Sequence, residues 1–196
     1  MDCVKANKEI FQSLFYKYGD DSKSCGWEQK MIMRYKELYK IGDINHTSVL
    51  DIGCGLGDLY DYFIHDKKVE QLTYTGVDIV PEMIEMAKKK YPEATFLVQD
   101  IVKKPLSKKF DWVFICGVFN QGMETEYMKK ILKQAFLCCE RGMAFNFIST
   151  YVNFTSEERS YHNPLEIFQF CIDELSPKVN IFHHYEKCDV SVFVYK

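Results

Sequence analysis

The chain has 196 residues, of which 47% are hydrophobic and 27% are charged. This composition is typical of a folded globular protein and excludes an intrinsically disordered chain, and the length suits one domain with a small appendage. The 25 lysines and arginines against 28 aspartates and glutamates give a net charge of −3, so the basic surplus of a nucleic-acid-binding protein is missing.

The eight cysteines form no C-x-x-C pair and no cysteine–histidine cluster with zinc spacing, so we expect no bound metal. The first 20 residues mix charged and apolar side chains, unlike the core of a signal peptide. The longest apolar run, residues 112–119, is too short to span a bilayer. We therefore expect a cytoplasmic protein with free thiols and no membrane partner.

The first 45 residues predict two helices. Apolar residues recur at helical spacing from residue 2 to residue 18, and Gly19 with the polar residues after it ends that pattern. A second helix is predicted over residues 27–40, ending near Gly42.

From Ser48 onward, predicted strands and helices alternate. The apolar stretches 49–52 and 112–116 are typical of strands buried on both faces, which favours a parallel sheet. Alternating units of this kind predict a doubly wound α/β fold. The predicted strands are Ser48–Ile52, Leu72–Asp78, Thr95–Gln99, Phe110–Cys116 and Met143–Ser149, and the predicted helices are Asp58–His65, Pro81–Tyr91 and Glu124–Cys138.

The end of the chain follows a different pattern. A helix is predicted over residues 164–175, and two strands follow at residues 179–185 and 190–195. The gap between these strands is too short for a parallel crossover, so they must pair antiparallel. We therefore expect the parallel sheet to end with one antiparallel strand.

The strongest motif is the stretch Val-Leu-Asp-Ile-Gly-Cys-Gly-Leu-Gly-Asp at residues 49–58. A buried strand runs into a glycine-rich turn and then into a helix, whose free amide hydrogens suit a polar or anionic ligand. The glycines lie two apart, at 53, 55 and 57, which differs from the dinucleotide spacing G-x-G-x-x-G. Asp51 precedes them by two residues.

Further polar residues follow neighbouring strands of the predicted sheet. Asp78 ends the second strand, about 20 residues after the glycine turn, where a carboxylate can accept ribose hydroxyls. Asp100 and Ile101 follow the third strand and suit an adenine amine and ring. The alternatives are a helix cap for Asp78 and a solvated loop acid for Asp100. All these strand ends meet at one edge of the sheet, where such folds bind ligands.

These motifs, with the strand at residues 110–117, resemble in order and separation those of class I S-adenosylmethionine-dependent methyltransferases. The resemblance covers residues 48–196 and implies a Rossmann-like, seven-stranded, doubly wound domain over residues 46–196. Residues 1–45 would be a helical cap belonging to the same unit. Gly26-Trp27, Arg34-Tyr35 and the stretches 117–120 and 144–146 are further similar to a group of small bacterial methyltransferases.

The resemblance implies S-adenosylmethionine as the cofactor and S-adenosylhomocysteine as its product. The loop glycines would approach the methionine and ribose, Asp51 would orient the ammonium, Asp78 would hold the ribose and Asp100 the adenine amine. Arg34 would meet the cofactor carboxylate or the substrate. The complete set of implied cofactor contacts is Asp51, Gly53, Cys54, Gly55, Gly57, Asp78, Ile79, Asp100, Ile101, Cys116, Gly117 and Arg34.

The implied reaction is an in-line methyl transfer to an oxygen or nitrogen of a small molecule. An alcohol or amine acceptor needs a base, for which His162 and Tyr151 are the candidates, whereas a carboxylate or phosphate-type oxygen needs none. His162 is alternatively a surface histidine or a cap for the following helix. The predicted substrate contacts are Trp27, Tyr35, Asn120 and Tyr161.

Four other functions remain open. The [D/N]-P-P-[Y/F] turn of base-modifying enzymes is replaced by Cys-Gly-Val-Phe at residues 116–119, which disfavours a nucleic-acid substrate. A protein substrate, or a non-catalytic partner subunit with this fold, is compatible with the motifs. A nicotinamide-dependent oxidoreductase is disfavoured by the glycine spacing. The oligomeric state and the acceptor follow from no pattern in the sequence.

Overall fold

A computed structural model of the chain describes residues 3–27 and 31–196. Seven strands and six α-helices are present in this part of the chain, with short 3-10 turns at Ser22–Cys25, Tyr39–Ile41 and Val118–Asn120. The strands are β1 (Ser48–Ile52), β2 (Thr73–Asp78), β3 (Thr95–Val98), β4 (Phe110–Ile115), β5 (Cys139–Ile148), β6 (Val179–Phe182) and β7 (Asp189–Tyr195). The helices are α1 (Cys3–Tyr18), α2 (Ile32–Leu38), α3 (Asp58–Asp61), α4 (Pro81–Lys90), α5 (Thr125–Cys138) and α6 (Pro164–Glu174).

The strands form one sheet in the order β3-β2-β1-β4-β5-β7-β6. The first five strands pair in parallel, and β7 is antiparallel to both β5 and β6. The predicted doubly wound α/β sheet with one antiparallel strand is therefore confirmed. The strand order reverses between β1 and β4, and this reversal leaves a crevice at their carboxyl ends where ligands bind in such folds.

Both faces of the sheet are buried, as the apolar strands predict. Leu50 on β1 and Val113 on β4 pack into a core under α5 and α6. Val49 and Phe114, which alternate with them along the same strands, pack into a second core with α2, α3 and α4. The period-2 alternation of a strand sends successive side chains to opposite faces, so each strand contributes to both cores.

The second predicted helix is shorter in the structure. Its α-helical part is Ile32–Leu38, because Met31 has the non-helical angles φ −84° and ψ 57°, and a 3-10 turn follows at Tyr39–Ile41. The prediction for residues 28–30 lies outside the described residues. Helix α2 packs against β5 and β7, which brings the amino-terminal part of the chain over the carboxyl ends of the strands.

Three other elements differ from the prediction by more than one residue at a boundary. The predicted helix Asp58–His65 is a four-residue α-helix followed by a π-turn at Tyr62–Asp66. Strand β5 begins at Cys139, four residues before its predicted start. Strand β6 ends at Phe182, so residues 183–185 lie in the turn to β7. In the described part of the chain, every helix is too short or too polar to cross a membrane.

Candidate functional site

A deep cavity opens at the carboxyl ends of β1, β2 and β4, beneath α1, Cys25, Trp27 and residues 31–35. It brings together most of the predicted site residues from the strand ends and from the cap. Gly57, Asn120, Tyr151, Tyr161 and His162 are not part of its lining. The predicted residues that line it are Trp27, Arg34, Tyr35, Asp51, Gly53, Cys54, Gly55, Asp78, Ile79, Asp100, Ile101, Cys116 and Gly117.

The glycine-rich turn requires glycine at its first two glycine positions. Gly53 and Gly55 have φ angles of +74° and +52°, in the left-handed region that side chains rarely adopt. A Cβ on Gly53 would lie 2.2 Å from Cγ2 of Val118. The amides of Gly53 and Cys54 both donate to the carbonyl of Val77, at 2.7 and 3.1 Å, which holds the turn against β2.

Gly57 has a different structural role from Gly53 and Gly55. It begins α3 with a φ of +84°, and a Cβ there would lie 3.0 Å from the ring of Tyr91 and 3.3 Å from that of Phe96. The close packing of the turn on these rings accounts for this glycine. Gly57 is not among the residues that line the cavity, and its contact with the cofactor stays a prediction.

Asp51 is a buried carboxyl group with one unused oxygen. The hydroxyl of Tyr74 donates to Oδ2 at 2.5 Å, and Oδ1 has no hydrogen-bond partner. Burial raises the pKa of Asp51 to about 7, although the Tyr74 hydrogen bond acts in the opposite direction. A cation beside Oδ1 would complete the hydrogen bonding and favour the ionised form.

Asp78 closes the turn from the end of β2. Its Oδ2 accepts the amide hydrogen of Gly55 at 3.0 Å and its Oδ1 accepts that of Val80 at 2.9 Å. Burial raises the pKa of Asp78, and these backbone hydrogen bonds oppose that rise. Each carboxylate oxygen can accept a further hydrogen bond, so Asp78 holds the loop and still offers acceptors to a ligand in the cavity.

Asp100 is not the solvated loop acid of the alternative interpretation, since its side chain is 19% exposed. Its Oδ1 accepts the amide hydrogens of Val102 and Lys103, at 3.0 and 3.2 Å, as a loop cap does. Its Oδ2 is buried without a hydrogen bond and lies 3.8 Å from Nζ of Lys103. Asp100 lines the cavity beside Ile101, which is 4% exposed and offers an apolar surface.

Arg34 lies at the opposite side of the cavity in a buried ion pair. Its Nε and Nη2 donate to Asp189 on β7 at 2.7 and 2.8 Å, and both side chains are 2% exposed. Burial alone would lower the pKa of Arg34, but the charge and hydrogen bonds of Asp189 outweigh it and the pKa is raised. The remaining nitrogen, Nη1, has no partner and would lie 3.9 Å from a Cβ on Gly117.

His162 does not reach the cavity. It is 1% exposed, and its Nε2 lies 2.9 Å from the carbonyl oxygen of Phe119 while Nδ1 lies 2.9 Å from Oγ1 of Thr125. A carbonyl only accepts, so Nε2 carries the hydrogen and Nδ1 accepts from the threonine. Burial lowers the pKa of His162, although the hydrogen bond to the carbonyl of Phe119 acts in the opposite direction. The ring fixes the segment after β5 to the end of β4, and we withdraw it as a general base.

Some of the other predicted catalytic and substrate residues line the cavity, and others lie outside it. Tyr151 is 57% exposed, and the hydroxyl of Tyr161 accepts the amide hydrogen of Ser156 at 2.9 Å. Neither lines the cavity. Asn120 is buried behind the lining, and its amide group has no hydrogen-bond partner in the described part of the chain. Of the predicted substrate contacts, only Trp27 and Tyr35 line the cavity.

Several lining residues were missed by the sequence reasoning. Asn7 and Phe11 of α1, together with Cys25, form the roof, and Ile131 of α5 lies at the far end. Asp189, which holds Arg34, is 155 residues away along the chain. No local pattern indicates such contacts. In residues 3–27 and 31–196, no three histidine, cysteine, aspartate or glutamate side chains are arranged to hold a metal ion.

Comparisons with known proteins agree on one family. Residues 49–142 match the family model described as a methyltransferase domain. A putative methyltransferase of Mycobacterium tuberculosis is 27% identical over 157 residues, which are 76% of this chain and 93% of that protein. Demethylmenaquinone methyltransferase of Lactococcus lactis is 29% identical over 133 residues, 64% of this chain and 52% of that enzyme.

The structural comparison extends over the whole chain. Magnesium protoporphyrin IX methyltransferase from Synechocystis PCC 6803, solved with bound S-adenosylhomocysteine, superposes with a TM-score of 0.72 at 15% identity and full coverage of both chains. At this identity the likeness shows the fold, and the family follows from the sequence matches.

Proposed function

Since the chain belongs to the class I S-adenosylmethionine-dependent methyltransferases, we propose that it methylates an oxygen of a small molecule in the cavity at the ends of β1, β2 and β4. The cofactor is S-adenosylmethionine. The family resemblance implies an oxygen or nitrogen acceptor, and no described residue of the cavity lining is a histidine, which favours an oxygen that is already ionised.

The observation that carries the proposal is the match between unused polar atoms of the cavity and polar groups of the cofactor. Oδ1 of Asp51 and Oδ2 of Asp100 are buried acceptors, which suit the ammonium and the adenine amine. Nη1 of Arg34 is a buried donor, which suits the carboxylate. Since an unpaired buried polar atom costs about 1–3 kcal/mol, a ligand that pairs all three gains affinity and specificity together.

The remaining contacts complete the assignment. Asp78 offers both oxygens to the ribose hydroxyls, and Gly53 and Gly55 leave room for a close backbone approach. Ile79 and Ile101 flank the adenine position, and Cys116 with Gly117 forms the floor. When bound, S-adenosylmethionine supplies a methyl group already activated by the sulfonium. The protein therefore needs to hold the acceptor in line and exclude water.

The three thiols of the lining and the phenol of Tyr35 are poor bases. Burial raises the pKa values of Cys25, Cys54, Cys116 and Tyr35, so these groups keep their protons at neutral pH. Nucleic-acid methylation is disfavoured by the net charge of −3. These features support a small acceptor that arrives ready to react.

The first experiment is thermal unfolding with S-adenosylhomocysteine, S-adenosylmethionine and NADH in parallel. A ligand at 100 times its dissociation constant adds about 2.7 kcal/mol, which raises the Tm of a domain of this size by about 5–10 °C. We expect this shift with both adenosyl compounds and none with NADH. In Asp78→Asn the shift should disappear, whereas Asp20→Asn, an exposed control with the same charge change, should retain it.

The outcomes separate the alternatives. No shift in folded protein that carries no bound cofactor would contradict the proposed cofactor site. A shift with the adenosyl compounds, followed by transfer of radiolabelled methyl to RNA and not to small molecules, would replace the proposed acceptor with a nucleic acid.

A further inference from the structure

Two arginines lie against Trp27, a residue of the cavity lining close to Gly117. Trp27 lines the cavity here, and the guanidinium carbons of Arg34 and Arg159 lie 4.0 and 4.5 Å from the centroid of its ring. The indole nitrogen of Trp27 would lie 3.7 Å from a Cβ on Gly117. Two cations thus meet one aromatic ring at the point where β4 ends.

The two cations differ in what neutralises them. The charge of Arg34 is balanced by Asp189 through two hydrogen bonds. Arg159 is half-buried and makes one long hydrogen bond, 3.4 Å from Nη2 to the carbonyl of Gly26. No carboxylate in the described part of the chain forms an ion pair with it. The cluster of Trp27, Arg34, Arg159 and Asp189 therefore carries one uncompensated positive charge.

A buried asparagine holds the backbone of Gly117. The amide of Gly117 donates to Oδ1 of Asn146 at 2.8 Å, which turns the side-chain oxygen toward the backbone. Nδ2 of Asn146 is left buried without a hydrogen-bond partner, in a side chain that is 0% exposed. Asn146 does not line the cavity, so it fixes the backbone of Gly117 from behind the lining.

The carboxylates of the cavity lie on its other side. Asp51, Asp58, Asp78 and Asp100 lie at or just after the ends of β1, β2 and β3, where the proposed cofactor contacts are. The lining thus has an acidic side, which suits the ammonium, hydroxyls and amine of the cofactor, and Arg34 near Gly117. Arg159 lies next to the lining, against the ring of Trp27. Because the carboxylate of the cofactor takes the spare nitrogen of Arg34, Arg159 is left for a second anion.

We propose that the acceptor is a carboxylic acid, bound as its carboxylate by Arg159 and the indole of Trp27 and methylated on a carboxylate oxygen to a methyl ester. This inference rests on the proposed function. A lone pair of the carboxylate oxygen forms the new bond to the methyl carbon, and the carbon–sulfur bond breaks with its electron pair going to sulfur. The products are a neutral ester and S-adenosylhomocysteine. No proton moves, which agrees with a cavity lining that holds no histidine.

The test measures binding to protein saturated with S-adenosylhomocysteine. The probes are benzoate, hexanoate and succinate, each beside its neutral amide. We expect at least one carboxylate to raise the Tm more than its neutral amide does. Arg159→Gln should weaken the binding of that carboxylate about 10- to 100-fold, which is the range for the loss of a hydrogen bond to a charged group. Arg159→Lys should restore part of the affinity. The control is Arg141→Gln, which removes an exposed arginine paired with Asp111 at the other end of β5 and should change nothing.

A second readout identifies the product. Label transferred from radiolabelled S-adenosylmethionine to the carboxylate should be released by mild alkali as volatile methanol, because methyl esters hydrolyse there while ethers and methylamines do not. Carboxylates that bind no better than their amides, unchanged binding in Arg159→Gln, or alkali-stable label would each overturn the inference. Affinity for S-adenosylhomocysteine is measured on the same samples. If the unmodified protein does not bind S-adenosylhomocysteine, the proposed function itself is overturned.

Discussion

Replacing Asp51 with asparagine should stabilise the ligand-free protein at pH 8 while weakening its binding of S-adenosylhomocysteine. The pKa of Asp51 is raised by burial from 3.8 to about 7. A carboxyl group with a raised pKa in the folded state is destabilising when ionised: stability is lost as pH rises from about 4 to about 7, and the loss is complete above pH 7. Asparagine cannot ionise, and its amide oxygen still accepts from Tyr74.

The magnitude follows from the shift. About three pKa units at 1.36 kcal/mol per unit amount to about 4 kcal/mol, an upper limit because the amide NH₂ of the variant is itself buried. We expect a gain of about 2–4 kcal/mol at pH 8, or at least about 5 °C in Tm for a chain of this size. At pH 5 the carboxyl is already protonated, and most of the difference between the two proteins should vanish.

The assay is thermal unfolding of both proteins without ligand at pH 5 and pH 8, with exposed Asp20→Asn as the charge control. A second arm measures S-adenosylhomocysteine binding by titration calorimetry. If Asp51 pairs with the ammonium, the affinity of the unmodified protein falls up to about tenfold per pH unit below pH 7, with protons released on binding. The variant should bind more weakly and lose this dependence. The reasoning would be refuted if the variant were less stable than the parent at pH 8, or if the difference in stability were the same at both pH values.

Three other substitutions test the remaining geometry. Gly53→Ala should destabilise the protein by about 1–3 kcal/mol in urea unfolding, because its Cβ would meet Cγ2 of Val118 at 2.2 Å, and Val118→Ala should recover part of that loss; no recovery would leave the strained φ angle as the whole cause. Asp189→Leu alone should cost about 3–5 kcal/mol by leaving Arg34 buried and unpaired, and adding Arg34→Met should recover much of it; equal loss in both variants would contradict the ion pair. His162→Gln should cost about 1–3 kcal/mol of stability and leave the pH profile of kcat unchanged, whereas loss of a titrating group near neutral pH would restore the histidine as a base.

The elements of this protein follow from local patterns. β1, the clearest buried strand, is predicted at its observed bounds, and the short gap before β7 already requires an antiparallel final pairing. Asp51, Asp78 and Asp100 are predictable as neighbours because parallel strands end at one edge of the sheet, and all three line the cavity. Periodicity and turn residues depend on only a few neighbouring positions, so both can be read from a single sequence.

Tertiary structure decides what each of these side chains can do. The partner of Arg34 lies 155 residues away, so neither its buried charge nor its spare nitrogen has a signal in the sequence. His162 resembles a candidate base by type and position, yet Phe119 and Thr125 occupy both its ring nitrogens. The pKa of Asp51 is raised because other elements exclude water from around it. Burial and hydrogen bonding depend on contacts between distant segments, and these are determined only when the chain has folded.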